Sequence, residues 1–307
     1  MRYQVQKHIR SFITLIRRSF KELLQNDPLR MAGATAFFTT FALPPILVIL
    51  IQVLKLVLDP KMVRNELFNS LSSIIGEESV EPIRNILRAL RGLAQNWWII
   101  IGGFIFLLFV ATTLFRVIKS SVNQIWKIKP AGKSGLVRSL GGRFQAVAVI
   151  IVAGILFVVG LFAEGLQAFV GKYIFEFSPL LSFYFNSLLN YLFSVLIVTL
   201  WFTILFRFLP DGRPEWNIAF AGGLLTAILF NIGKIILHWL LSYSNINTLY
   251  GTSASIVLLL LFVFYSALIL YYGAAFTKIW GQYKNQPIKA LPHAIHYKLT
   301  ESQMNTD

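Results

Sequence analysis

The chain has 307 residues, of which 56% are hydrophobic and only 13% are charged, and its formal net charge is +15. Soluble domains carry about 25% charged residues, so this composition favours a protein whose main solvent is lipid. The chain contains no cysteine, which excludes disulfides, thiolate metal sites and cysteine nucleophiles.

The N-terminal segment, residues 1–30, is basic. Within it, residues 5–25 place apolar side chains at helical spacing with arginines and lysines between them. This pattern predicts an amphipathic helix that lies on an anionic membrane surface. The segment lacks a leading apolar core and a small-residue cleavage site, so we predict no cleaved signal peptide.

Six apolar stretches follow, and each meets the length of about 20 residues that a helix needs to cross a bilayer. They are Gly33–Leu58, Trp97–Val117, Phe144–Val170, Ser182–Leu209, Trp216–Leu241 and Ser253–Trp280. Helices are expected because an open sheet edge would leave backbone groups unpaired in lipid. We therefore predict an all-α, polytopic membrane protein, with a six-span domain at 31–281 and a solvated cytoplasmic tail at 282–307.

The connection between the first two spans, residues 59–96, has a helical pattern of its own. Asp59-Pro60 is typical of a helix start and Gly76 of a helix end, and Glu81-Pro82 begins a second apolar-periodic run. We predict two amphipathic helices that pack over the outer face of the bundle.

The distribution of lysine and arginine predicts the orientation. Basic residues collect in the N-terminal segment, in the loop at 119–143 and in the tail, whereas the third and fifth connections carry almost none. Both termini are therefore predicted to lie in the cytoplasm, and the helical connection at 59–96 outside it. We also expect basic residues near the 119–143 loop to contact anionic lipid headgroups rather than RNA. These are Arg116, Lys119, Lys127, Lys129 and Arg143.

Pro44-Pro45 lies near the middle of the first span. Proline has no amide hydrogen, so the carbonyls of Thr40 and Phe41 lose their helical partners. One interpretation is a structural kink whose carbonyls are satisfied by Thr39 and Thr40. The other is a helix break at a substrate path.

Polar residues recur on single faces of four spans, at depths that place them in one outward layer. The substrate-cavity candidates are Gln52, Lys55, Glu164, Gln167, Asn190, Asn231, Lys234 and His238, with Asn186 on the same face as Asn190. We interpret them as a cavity open to the outer side, with Glu164 near Lys234 or Lys55. The alternative is that the lysines extend to the interface and the amides bridge helices.

Other motifs have structural interpretations. Ala219, Gly223 and Ala227 form a face of small residues, as do Gly273 and Thr277, and both predict helix contacts. Nothing assembles a nucleophile, a base and an orienting acid, so no enzyme, cofactor or metal site is expected. The HxxH pair His293 and His296 has no acid close to it in the sequence.

Residues 28–282 resemble the YihY/BrkB family of bacterial inner-membrane proteins. The resemblance rests on the segment Ala32–Phe38 leading to Leu43-Pro44-Pro45, on Arg116 with Asn123 and Trp126, and on Arg207–Pro210, Gly222-Gly223, Tyr250-Gly251 and Phe264-Tyr265 leading to Gly273-Ala274. Family members often carry an acid where this chain has Ala275. The resemblance implies a six-span protein; members have been labelled a transfer-RNA-processing ribonuclease or linked to serum resistance and lipid export.

Our leading hypothesis is a transporter or flippase-like protein of the bacterial inner membrane that handles an anionic amphipath or lipid. The alternative is a non-transporting scaffold or envelope-assembly factor, and a membrane-bound ribonuclease ranks last. The expected partners are the bilayer and its anionic headgroups, and homo-oligomerisation stays open.

Overall fold

The protein is mostly helical. A computed structural model describes residues 2–54, 59–75, 80–81, 83–85, 87–88, 97–131, 148–149, 151–152, 154–160, 179–243 and 254–297. We number the long helices in chain order: α1 Arg2–Leu24, α2 Pro28–Leu54, α3 Pro60–Ile75, α4 Trp97–Trp126, α5 Pro179–Phe208, α6 Trp216–Tyr243 and α7 Ala254–Tyr283. The strands are β1 Ile128–Pro130, β2 Gly212–Arg213, β3 Lys289–Ala290 and β4 Ala294–His296.

In the described part of the chain, three helices contain segments that are long and apolar enough to cross a membrane. These segments are Tyr191–Phe208 in α5, Trp216–Ile236 in α6 and Ile256–Tyr283 in α7. They correspond to the last three predicted spans. Helices α2 and α4 cover most of the first predicted span and all of the second, and residues 154–160 within the third are helical.

Helix α2 is continuous from Pro28 to Leu54 and passes through Pro44 and Pro45, so of the two interpretations a structural kink fits it better than a helix break. The neighbouring threonines differ from the prediction. Thr39 Oγ1 donates to the Thr35 carbonyl (2.7 Å) and Thr40 Oγ1 to the Ala36 carbonyl (3.0 Å). These carbonyls belong to the preceding turn, so the hydroxyls do not serve the carbonyls that the prolines leave unpaired.

Small residues bring α5, α6 and α7 into close contact, as their spacing predicts. Ala219 and Ala227 are fully buried on α6. A methyl group at Gly223 would lie 2.8 Å from the Thr199 carbonyl of α5, and one at Gly273 of α7 would collide with the Thr226 hydroxyl of α6. The helices therefore approach too closely at these points to admit a side chain larger than hydrogen.

The two ends of this bundle differ in chemistry. One end, which we call the Asp211 end, gathers the end of α1, the start of α2, the ends of α4, α5 and α7, and the start of α6. Its core contains Trp126 and Phe206, both almost fully buried. The opposite end, the α3 end, has a smaller core in which Phe68 of α3 and Ile83 pack against Leu47 of α2.

Helix α3 confirms the first of the two helices predicted in the connection at 59–96. Its start is capped as the sequence indicates, because Asp59 Oδ1 accepts the backbone N–H of Lys61 (2.8 Å) and of Met62 (3.2 Å). In the second predicted run, the described residues are helical, and Arg84 forms an ion pair with Glu81 at 3.3 Å.

The segment after α7 is not a solvated tail up to residue 297, which corrects the prediction for its first part. Strand β4 pairs antiparallel with β1, and β3 pairs antiparallel with β2. Ile128 lies opposite His296, and Gly212 lies opposite Ala290. The segment thus folds back over the Asp211 end and joins the loops that follow α4 and α5. The periodicity of residues 282–297 is too short to predict this pairing.

Candidate functional site at the Asp211 end

Asp211 lies in the loop between α5 and α6 and is the centre of a polar network. Its side chain is only 6% exposed. Its Oδ1 accepts from Lys119 Nζ of α4 (2.7 Å) and from His293 Nε2 (3.0 Å), and its Oδ2 accepts from Asn123 Nδ2 of α4 (2.8 Å). The network therefore joins α4, the α5–α6 loop and the segment after α7.

The backbone of Asp211 takes part in the same network. Its N–H donates to Asn123 Oδ1 (2.8 Å), and its carbonyl accepts the N–H of Leu291 (2.9 Å). Asn123 thus uses its amide as donor and acceptor toward one residue, which fixes the loop in a single register against α4. A buried carboxylate with this many donors is held rather than free to move.

Two opposing effects act on the pKa of Asp211. Burial disfavours the charged carboxylate and raises the pKa, but the donors Lys119, His293 and Asn123, together with the charge of Lys119, outweigh it. The net result is a pKa below the usual value for aspartate. A carboxylate stabilised in this way is a poor general base, so the geometry favours a structural and electrostatic role over proton transfer.

A second polar cluster joins α1 to the rest of the Asp211 end. Lys278 Nζ of α7 lies 2.7 Å from Glu22 Oε1 of α1 and donates to the Ile125 carbonyl of α4 (2.9 Å). Lys127 Nζ donates to Asn26 Oδ1 (2.8 Å). Burial, followed by the nearby charge of Lys278, lowers the pKa of Lys127, although Glu22 acts in the opposite direction.

Lys127 also has an unusual backbone conformation. Its φ is 56°, in the left-handed region where glycine or asparagine is usual after a helix end. Lys127 adopts this conformation with its ammonium bound to Asn26.

The predicted polar layer falls mostly outside the described residues. Lys55, Glu164 and Gln167 lie outside them altogether, and the structure gives only the helical backbone of Gln52, Asn186, Asn190 and His238. Two side chains remain. Asn231 of α6 is buried; its Nδ2 donates to the Ala227 carbonyl (2.9 Å), and its Oδ1 accepts from Ser194 Oγ of α5 (3.3 Å). Lys234 Nζ lies 5.8 Å from the ring centre of Phe230.

The predicted headgroup contacts need correction for two of five residues. Lys119 is paired with the buried Asp211, and Lys127 is bound to Asn26, so both ammonium groups serve internal contacts. Arg116 and Lys129 are exposed, and Lys129 lies over the Tyr297 ring at 5.7 Å. Arg143 lies outside the described residues.

Sequence reasoning missed the Asp211 network. It placed His293 in a solvated tail without an acid, whereas His293 contacts Asp211, 82 positions earlier. His296 Nε2 lies 3.0 Å from the Ile288 carbonyl. In the described part of the chain, no group of three His, Cys, Asp or Glu side chains could hold a metal ion. The available signal was an acid, one of two with Glu215, in a short loop between two apolar spans.

Comparison with known proteins identifies a family whose model covers most of the chain. The model of the family described as "Virulence factor BrkB" matches residues 19–295, which include every residue of the Asp211 network. A "UPF0761 membrane protein" of Saccharophagus degradans is 24% identical over 283 residues, which cover 90% of this chain and 62% of the relative.

Two further relatives bear the same description. The one from Chromohalobacter salexigens is 25% identical over 89% of this chain and 65% of its own length. The one from Stenotrophomonas maltophilia is 24% identical over 87% of this chain and 61% of its own length. The chain thus spans less than two thirds of these relatives, and no solved structure matches it. Because the family model covers both the membrane helices and the Asp211 network, the chain belongs to the YihY/BrkB family of membrane proteins.

Proposed function

We propose that the protein is a six-span inner-membrane transporter or flippase-like protein that handles an anionic amphipath, with both termini in the cytoplasm. The observation that carries the proposal is Lys234. It lies on α6, seven residues before the predicted span ends at Leu241, which is about 10 Å along the axis at 1.5 Å per residue.

Lysine is rare at such depth and is costly in lipid, so it is usually kept for an ion or substrate path. Among the residues that the structure describes, no carboxylate pairs with Lys234, and its ammonium faces the Phe230 ring. Among the described residues this cation has no counter-charge; Glu164, the partner that the sequence suggests, lies outside them. Next to the buried amide of Asn231, such a cation is suited to bind an anionic group in transit. This supports an anionic substrate over a cationic one.

A second candidate function is a non-transporting scaffold. It is favoured by Asn231, whose amide is satisfied on both sides by α6 and α5 without any ligand. The dense Asp211 network also suits a rigid assembly element. The ribonuclease alternative ranks last because the sequence assembles no nucleophile, base and orienting acid, and we propose no enzymatic activity.

Reconstitution into liposomes tests the proposal. The parent protein is expected to move a labelled anionic lipid between leaflets. Lys234→Gln should slow this movement, whereas Lys61→Gln, which changes an exposed lysine at the start of α3, should not. Absence of movement by the parent, with and without an ion gradient, would favour the scaffold. Cleavage of RNA by the purified protein would instead support the nuclease.

Single introduced cysteines test the orientation, because the chain has none of its own. A cysteine at Lys129, an exposed position after the end of α4, should react with an impermeant reagent only from the cytoplasmic side. A cysteine at Asn231 that reacts from the outside would show that water reaches the proposed layer.

A further inference from the structure

Two arginines and two aromatic side chains form a cluster where α5 ends and α6 begins. The Arg207 guanidinium carbon lies 4.6 Å from the ring centre of Trp216, and that of Arg213 lies 5.9 Å from the ring centre of Phe208. The Phe208 and Trp216 rings contact each other edge to face at 5.8 Å. We call these four residues the arginine–aromatic rim.

The rim lies at the boundary of the membrane. The apolar segment of α5 ends at Phe208, and that of α6 begins at Trp216. Tryptophan prefers the interface, where its ring is apolar and its N–H is polar, and arginine there reaches the headgroup layer. The cluster therefore lies at the depth of lipid phosphates.

An apolar groove of about 430 Å³ opens beside the rim, between α5 and α6. It is lined by Leu200, Thr203, Ile204, Trp216, Asn217 and Phe220. Its volume falls within the range of about 300–1,000 Å³ that is usual for ligand sites. Trp216 and Phe220 remain about half exposed, at 55% and 43%, so the groove faces the surrounding lipid.

Among the described residues, no carboxylate forms an ion pair with Arg207 or Arg213, and the buried Nε of Arg207 has no acceptor. One Nη of Arg207 donates to the Pro214 carbonyl, which together with Trp216 holds the guanidinium at the rim. Glu215, the acid next to Trp216, is exposed, and Asp211 is engaged by Lys119 and His293.

We infer that the groove and the arginine–aromatic rim form a binding site for one anionic phospholipid of the leaflet at the Asp211 end. An acyl chain fills the apolar groove, and the phosphate lies against the two guanidinium groups, whose planar donors match phosphate oxygens. The positive rim favours an anionic lipid over a zwitterionic one. The site does not depend on the proposed function, because a lipid can be held there without being transported.

Trp216 provides the probe, because bromine on an acyl chain quenches tryptophan fluorescence by contact. The protein is reconstituted in phosphatidylcholine with a minor fraction of either brominated phosphatidylglycerol or brominated phosphatidylcholine. The Trp216 signal is the difference between the parent and Trp216→Phe. We expect phosphatidylglycerol to quench Trp216 more strongly than phosphatidylcholine at the same mole fraction.

The variants test the role of the rim. Each arginine near an anionic surface contributes about a fivefold preference, so Arg213→Gln should reduce the preference for phosphatidylglycerol roughly fivefold. Arg207→Gln with Arg213→Gln should abolish it. The matched control is Arg17→Gln with Arg18→Gln, which removes the same charge from the exposed face of α1 and should leave the preference unchanged.

Two results would overturn the inference. One is equal quenching of parent Trp216 by the two lipids, which would indicate ordinary annular contact. The other is a preference that survives Arg213→Gln undiminished, or that falls equally in the α1 control. Arg207 contacts Pro214 and Trp216, so its replacement also removes contacts within the protein. If the double variant fails to fold, Arg213→Gln alone decides, because Arg213 is exposed.

Discussion

Replacing Asp211 by alanine is expected to destabilise the protein by about 3 kcal/mol. The substitution removes the acceptor of Lys119, Asn123 and His293 at once. Breaking a buried ion pair from one side costs about 3–5 kcal/mol, because the remaining charge has no partner. We choose the low end of that range because the Lys119 side chain keeps 22% of its surface exposed and can recover some contact with water. Asp211→Asn should lower the free energy of unfolding nearly as much, because the NH2 of asparagine would face groups that are themselves donors, such as Asn123 Nδ2 or Lys119 Nζ.

Denaturation in detergent, followed by tryptophan fluorescence, measures this cost. Trp126 is 2% exposed, and its indole N–H donates to the Ala274 carbonyl close to the network. The matched control is Asp27→Asn, whose pair with Arg30 spans 3.7 Å between side chains that are 74% and 65% exposed. Such surface pairs contribute less than about 1 kcal/mol. If Asp211→Ala and Asp27→Asn cost the same, the Asp211 network does not stabilise the fold and our reasoning is refuted.

Three further predictions concern the charge of Asp211, the Glu22–Lys278 pair and the close contact at Gly273. Because the pKa of Asp211 is lowered, its carboxylate should contribute fully to the free energy of unfolding above the unfolded-state pKa of about 3.9, and this contribution should vanish as pH falls through the lowered pKa. In denaturant titrations, the free energy of unfolding of the parent should therefore exceed that of Asp211→Asn by a constant amount at neutral pH, and the difference should shrink below about pH 4. Glu22→Gln should weaken the attachment of α1 to Lys278 by about 1.5–3 kcal/mol and speed trypsin cleavage at the arginines of α1; unchanged cleavage would contradict this. Gly273→Ala should destabilise the protein by about 1–3 kcal/mol in thermal unfolding, because the added methyl group meets the Thr226 hydroxyl of α6. Gly33→Ala is the control and should be neutral or slightly stabilising, because a methyl group there has open space. Equal effects of the two substitutions would contradict the close contact at Gly273.

The features that the sequence predicts well depend on neighbours along one helix. The amphipathic pattern of α1, the Asp59 cap of α3 and the small-residue faces around Gly223 and Gly273 all repeat within a few turns. Spacing of three or four residues is enough to place such side chains on one face. The three apolar segments in α5, α6 and α7 can also be predicted from the sequence, because length and hydropathy are local properties.

The Asp211 network depends on contacts that no local pattern encodes. Asn123 and His293 lie 88 and 82 positions from Asp211, and they meet only after α4, the α5–α6 loop and the last segment have assembled. The sequence around Lys119 does not show whether its side chain faces lipid headgroups or a buried acid. At Pro44, local reasoning about lost amide hydrogens left a kink and a break open, and only the structure shows that α2 continues as a helix through it.

The pairing of β4 with β1, and of β3 with β2, has a consequence for biogenesis. The segment from Lys289 to His296 leaves the ribosome after all the long helices, so the loops it joins must wait for it during membrane insertion. Until then, Asp211 has neither the His293 side chain nor the Leu291 amide as a partner. A chain that stops before Leu291 would therefore leave the loops after α4 and α5 uncovered and accessible to quality-control proteases, even with every apolar segment already inserted.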